Sequence, residues 1–344
     1  MKKHLWSLGT LAALSAGVLG TPAIAAASGD GHLIATASNT AANTLLIYDT
    51  RGTLRASIPT QGQGGVGGNS GGIAVDGSRL AVVNFGSGNV SVFTRDDSQY
   101  YRLEKVIQAL ASPVSVAFGH GHLYILSTTH VESHATGSGG VNAVADGAAS
   151  LVVADGSAAQ VGVLDHEVIV SEKSNVIETA KLDARGAVTG NTAPVANIPA
   201  NVNAPFGLAT HGDNAYVTIA HANEVSLVRN DTVLTTTGSG AQKAPCWAAL
   251  DGAFLFTSNA ASKTVSRFVV YGSQIVLDAP VVATLGGGNT DIAYAGSVAA
   301  VIDNNGTVSH VSAFKVDGDG NFTLTGVATI ATTSTNGVAV IGND

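Results

Sequence analysis

Residues 244–270, APCWAALDGAFLFTSNAASKTVSRFVV, read as three short strands with two tight connections. Residues 246–250 are apolar, Asp251-Gly252 is a turn dipeptide, and residues 253–257 form a second apolar run. A small polar loop at 258–263 leads into a third run at 264–270. Short runs of Val, Phe and Leu bounded by Asp-Gly and Asn/Ser clusters are the signature of an antiparallel meander. The cassette recurs. A small residue or proline leads into an apolar strand at Ser70, Ser112, Ser157, Ala204, Ala244, Asn289 and Thr335. Successive starts lie roughly 40 to 47 residues apart, the period of a four-stranded propeller blade. Each unit adds an outer strand, such as residues 103–108 or 281–284.

The seventh start leaves no room for further strands, because the chain ends at Asp344. At the other end, residues 32–37, 44–48 and 56–58 read as second, third and fourth strands with no first strand before them. The strand at 337–341 is therefore expected to complete the N-terminal blade, which closes the ring and removes free sheet edges. The expected fold is all-β: one seven-bladed β-propeller of four-stranded antiparallel blades over residues 26–344. Two stretches depart from the rhythm. Residues 61–69 are glycine-rich and read as a flexible loop on one face. Residues 128–147 carry His130, Glu132 and His134 and read as a polar loop disturbing the outer part of the third blade.

Lys2 and Lys3 precede an uncharged apolar stretch at 5–20, then Thr21-Pro22 and a run of small residues. That pattern is a secretory signal with an A-x-A site, placed after Ala25. The later chain has no stretch long and apolar enough to span a bilayer. The leader holds two of the 16 Lys and Arg and none of the 24 Asp and Glu, so the mature chain carries a net charge of −10. An acidic chain without a basic run is a poor partner for nucleic acid or anionic membranes. A single cysteine, Cys246, excludes an internal disulfide. The expectation is an exported, periplasmic or secreted monomer.

The segments SAAQVGVLDHEVIVSEKSNVIETAKLDARG, APFGLA and APCWAALDGAFLFTSNAASKTVSRF resemble the bacterial lactonase-family propellers. These are similar to 6-phosphogluconolactonase and to the 3-carboxy-cis,cis-muconate lactonizing enzymes. The resemblance implies a cofactor-free hydrolase or cycloisomerase acting on a small lactone. The matching residues mainly build blades, and a fold does not fix a function.

In a propeller, the loops joining second to third strands share one face with the segments entering each first strand. Those positions hold Asn39, Asn43, Asn84, Asn89, His130, Glu132, His134, Glu172, Lys173, Asn175, His221, Glu224, Asn259, Lys263, Asp303 and Asn304, with Lys243, Cys246, Trp247, Asn289 and Asp291 at the entries. Lactone hydrolysis needs a base to activate water and a donor or cation for the developing oxyanion. Glu172, His130 and Lys173 are the candidate catalytic residues. His134, His221, Asn84, Asn175, Asn259, Asp291 and Trp247 are candidates for holding substrate. No arginine falls on this face, so lysine would have to hold any anionic substrate alone. That weighs towards a second reading, a non-catalytic propeller that captures an exported protein or glycan partner. His130-Val-Glu-Ser-His134 lacks the helix that makes H-E-x-x-H a metal site, so no metal is expected. Asp317-Gly-Asp-Gly-Asn321 has Phe322 and Ala328 where a calcium loop needs glycine and glutamate, and reads as a hairpin turn. Cys246 beside Trp247 reads as a small buried hydrophobe.

Overall fold

The computed structural model describes residues 31–95, 100–196 and 204–342. The secretory signal expected at residues 1–25 lies outside them. Seven antiparallel sheets follow one another around a ring. Blade six contains the founding cassette as Pro245–Asp251, Phe254–Asn259 and Thr264–Tyr271, with Gln274–Thr284 as its outer strand. Blade two is Ile73–Asp76, Arg79–Asn84, Asn89–Arg95 and Tyr101–Gln108. Blade four runs through Ala158–Val163, Glu167–Glu172, Val176–Lys181 and Ala193–Pro194. Blade five is Pro205–His211, Asn214–Ile219, Glu224–Arg229 and Thr232–Gly238, and blade seven is Gly288–Ala295, Val298–Asn304, Ser309–Val316 and Phe322–Ile330.

Blade one closes as the repeat phase requires. Asn336–Ile341 is its innermost strand, paired antiparallel with Leu33–Ala37, which pairs with Thr44–Asp49 and then Leu54–Pro59. Thr36 Oγ1 donates to the Gly337 carbonyl at 2.8 Å inside this seam. The apolar residues lie between blades. Val168 and Val170 of blade four meet Tyr124 and Leu126 of blade three, and Phe256 of blade six meets Phe314 of blade seven. Alternation along each middle strand sends one set of side chains to each neighbouring blade.

Blade three corrects the reading of residues 128–147 as a loop. His130–Gly137 is a regular third strand paired with His122–Ser127, and its outer partner is split into Gly140–Val141 and Gly147–Ser150. Glu132 and His134, two residues apart, share the side that faces blade two. Both are buried, with Glu132 Oε1 and His134 Nε2 3.7 Å apart. His134 Nδ1 meets the Asn142 carbonyl at 3.0 Å, whereas Glu132 Oε1 and His134 Nε2 make no hydrogen bond among the described residues. The Asp317–Asn321 segment is a turn in which the Asp317 carboxylate accepts from the Asp319 and Asn321 amides. Cys246 is buried, and burial pushes its thiol up to about 12.

Candidate functional site

Each inner strand enters from the face that carries the loops between second and third strands. The glycine-rich stretch, expected to be flexible, lies across this mouth as a bonded cover. Asn39 starts the span: its Oδ1 accepts from the Gly65 and Val66 amides, and its Nδ2 donates to the Val66 and Ser334 carbonyls. Asn39 has a φ of 55°, in the left-handed region that asparagine tolerates better than most residues. Farther along, Lys173 Nζ donates to the Gly68 carbonyl at 2.5 Å, and Trp247 Nε1 donates to the Asn69 carbonyl at 2.9 Å. Asn69 Nδ2 reaches the Val114 carbonyl and the Ser70 amide reaches the Ala159 carbonyl. The Gln63 amide reaches Ser87 Oγ of blade two, and the segment is thus tied to blades one, two, three, four and six. Close approach requires glycine at position 64, where a Cβ would lie 2.4 Å from the Asn39 carbonyl carbon, and a φ of 102° favours it at position 65.

Asp291 is the buried anchor beneath this cover. Its oxygens accept from the Ile292 and Val338 amides, and it also bonds the Ser70 side chain and the Gly71 backbone. Complete burial raises its carboxyl to about 7 against the opposing pull of these donors. Below it the channel opens towards the opposite face. A cavity of about 450 Å3 is roofed by Ser70, Gly71 and Asp291, and an adjoining one of about 690 Å3 extends to Arg95 and Tyr294 at that other face.

At the covered mouth, Glu172 ends the second strand of blade four and is fully buried. Its Oε2 accepts from Ser157 Oγ at 2.9 Å, and Ser157 meets Ser174 Oγ at 2.7 Å. Oε1 has no hydrogen-bond partner among the described residues. Burial raises the Glu172 carboxyl to about 8. Ser157 opposes that shift and Glu178 and Asp155 add to it. Lys173, the next residue, is half-buried and lies 5.9 Å from the centre of the Phe206 ring, which packs edge-on against Trp247. Burial lowers its ammonium pKa, with Glu172 and Asp155 acting the other way. A buried carboxyl beside a partly desolvated lysine and an aromatic pair is an arrangement suited to acid–base work.

The other candidates are spread more widely. His130 starts its strand at the same face, with Nδ1 2.7 Å from Thr129 Oγ1, and no hydrogen bond joins it to Glu172 or Lys173. His134 lies in the core between blades two and three, away from the mouth, and His221 is exposed in a turn of blade five. The asparagines are bonded into the fold. Asn84 accepts from Asn43 and Thr60 and donates to Asn89 and Ser91, riveting blade one to blade two. Asn259 bonds Thr257, Thr264 and Ser266 within blade six. Asn175 Oδ1 accepts from the Ala204 amide, and Asn223 repeats the device with Ala244 one blade on. Ser157, Ser174 and Phe206 complete the Glu172–Lys173 group and were not singled out from the sequence. Their only signal was position, since Ser157 opens blade four and Phe206 follows the proline of blade five. Among the described residues, no three His, Cys, Asp or Glu side chains converge to hold a metal. No helix there is long and apolar enough to cross a membrane.

No family model and no curated protein matches the sequence. Solved structures do match. A functionally unknown protein of Desulfotomaculum acetoxidans superposes with a TM-score of 0.66 at 12% identity, covering 91% of this chain and 99% of that one. A periplasmic gluconolactonase of Pseudomonas aeruginosa gives 0.65 at 14% identity, covering 91% and 99%. A catalytically inactive virginiamycin B lyase of Staphylococcus aureus gives 0.56 at 11%, covering 81% and 90%. What these proteins share with the chain is the fold, which in this chain is a seven-bladed propeller.

Proposed function

We propose that this protein is an exported lactonase-like hydrolase that opens a small lactone at the mouth covered by residues 61–72. The observation that carries the reading is Glu172, a buried carboxyl with one unpartnered oxygen next to Lys173. In this scheme water adds to the lactone carbonyl carbon as the Glu172 carboxylate takes its proton. The Lys173 ammonium faces the developing oxyanion. The ring C–O bond then breaks, Glu172 returns the proton to the leaving alkoxide, and a hydroxy acid results. No cofactor enters these steps. The fold shared with a periplasmic gluconolactonase and the leader-like residues 1–25 support export. Phe206 and Trp247 would pack on the substrate once the cover lifts.

A second reading is favoured by the cover itself. A mouth closed by hydrogen bonds to six of the seven blades suits a propeller that captures a protein or glycan on its outer loops. Proton release from a panel of γ- and δ-lactones, compared for the native chain and Glu172→Gln, separates the two. Hydrolysis lost in the variant supports the enzyme. Equal rates at buffer level for both proteins would sink it.

A further inference from the structure

Blades six and seven do not meet completely at their outer halves. The end of the Gln274–Thr284 strand and Leu285 face Phe314, Phe322 and Leu324 across a cleft of about 480 Å3. That volume falls within the roughly 300–1,000 Å3 typical of small-molecule sites. Most of the lining is apolar, but one end is not. Asp303 and His310, cross-strand partners in blade seven, both project into the cleft, with His310 Nδ1 3.1 Å from Asp303 Oδ1. Ser312 follows two residues later on the same wall. Alternation accounts for the grouping: His310, Ser312 and Phe314 face blade six, whereas Val311 and Ala313 pack towards blade one.

The Asp303 contact fixes the imidazole with its hydrogen on Nδ1, which leaves Nε2 as the ring atom that can meet a ligand. Nε2 makes no hydrogen bond among the described residues, and the His310 side chain is partly exposed, so the atom is within reach of a ligand. A hydroxyl satisfies Nε2 in either charge state, because it donates to the neutral ring and accepts from the protonated one. An anionic head would add a second negative charge beside the buried Asp303, which is costly without a further cation.

We propose that the cleft between blades six and seven binds an uncharged phenol or alcohol, its apolar body against Phe314 and Phe322 and its hydroxyl on His310. The site is separate from the Glu172 mouth and does not depend on it.

The test is calorimetric titration of the full chain with 2-naphthol, naphthalene and 2-naphthalenesulfonate. 2-Naphthol should bind at least about tenfold more tightly than naphthalene, the factor expected for one good hydrogen bond, and the sulfonate should bind more weakly still. His310→Leu should abolish the preference for naphthol over naphthalene while keeping the apolar affinity. Val282→Trp, at the half-buried lip, should fill the cleft and remove binding of both. Thermal melts of each variant establish that it is folded before titration. Equal affinity for naphthol and naphthalene, a preference that survives His310→Leu, undiminished binding to Val282→Trp, or no binding of naphthol by the native chain would each overturn the proposal.

Discussion

Replacing Glu172 by glutamine should change how stability depends on pH, by an amount that follows from its surroundings. The native carboxyl is raised to about 8 from an ordinary value near 4.5, chiefly by burial. A carboxyl whose folded pKa lies above its unfolded pKa is bound more tightly by its proton in the folded state. Its contribution is complete below about pH 4.5 and lost as pH rises towards 8. The full difference, 3.5 pKa units, corresponds to about 5 kcal/mol, a large part of the total stability of a typical domain. Asp291, raised to about 7, and Glu167, also raised by burial, act in the same direction, so the native chain alone mixes several groups. The glutamine variant removes only the Glu172 part, and its amide oxygen can still accept from Ser157. Urea unfolding of both proteins at half-unit steps from pH 4.5 to 9 should therefore give midpoints that separate steadily above pH 5, with the variant increasingly favoured. Parallel midpoint curves across that range would refute the account of Glu172 as a desolvated, uncompensated carboxyl.

If Glu172 is also the base, lactone turnover should rise through about pH 8 and fall at higher pH as Lys173, whose pKa is lowered by burial, loses its proton; a flat profile from pH 6 to 9 would remove Glu172 from the chemistry. Trp247→Phe deletes the donor to the Asn69 carbonyl, and should cost about 1 kcal/mol and speed amide exchange at Gly65 and Val66, measured by hydrogen–deuterium exchange. Gly207→Ala would place a Cβ 2.5 Å from the Cys246 carbonyl oxygen and 2.6 Å from the Trp247 Cα, backbone atoms that cannot step aside. Its urea midpoint should fall by the equivalent of more than about 2 kcal/mol, and a native-like midpoint would mean blades five and six are less tightly packed than their inner strands indicate.

What could be read from the sequence depended on whether a residue's role is local. Strand periodicity, the Asp-Gly turns and the phase of the repeat are set by neighbours in sequence, so seven blades and the closing strand at Asn336–Ile341 were visible before any coordinates. The asparagines show where that logic stops. Asn84, Asn175 and Asn259 occupy the loops in which a ligand ring would sit. Their partners, however, are Asn43 and Thr60 in another blade, the first amide of the next blade, or hydroxyls on the adjacent strand. Asparagine at such a position has the same appearance whether it binds a ligand or staples two blades, and only the distance across the fold decides. His130-Val-Glu-Ser-His134 misled for the opposite reason, because charge usually marks exposure. Here Glu132 and His134 face each other in the core, and alternation with Val131, buried on the other side, was the signal of a strand. The glycine-rich segment was the least legible part. Its glycines read as freedom, whereas at Gly64 one backbone passes too close to another for a Cβ, as it does at Gly86 of blade two, against which the segment lies. Flexibility of a free chain and close approach in a packed one select the same residue. A glycine run beside a propeller mouth is therefore evidence for a cover as much as for a loose loop, and amide exchange across residues 61–72 tells the two apart.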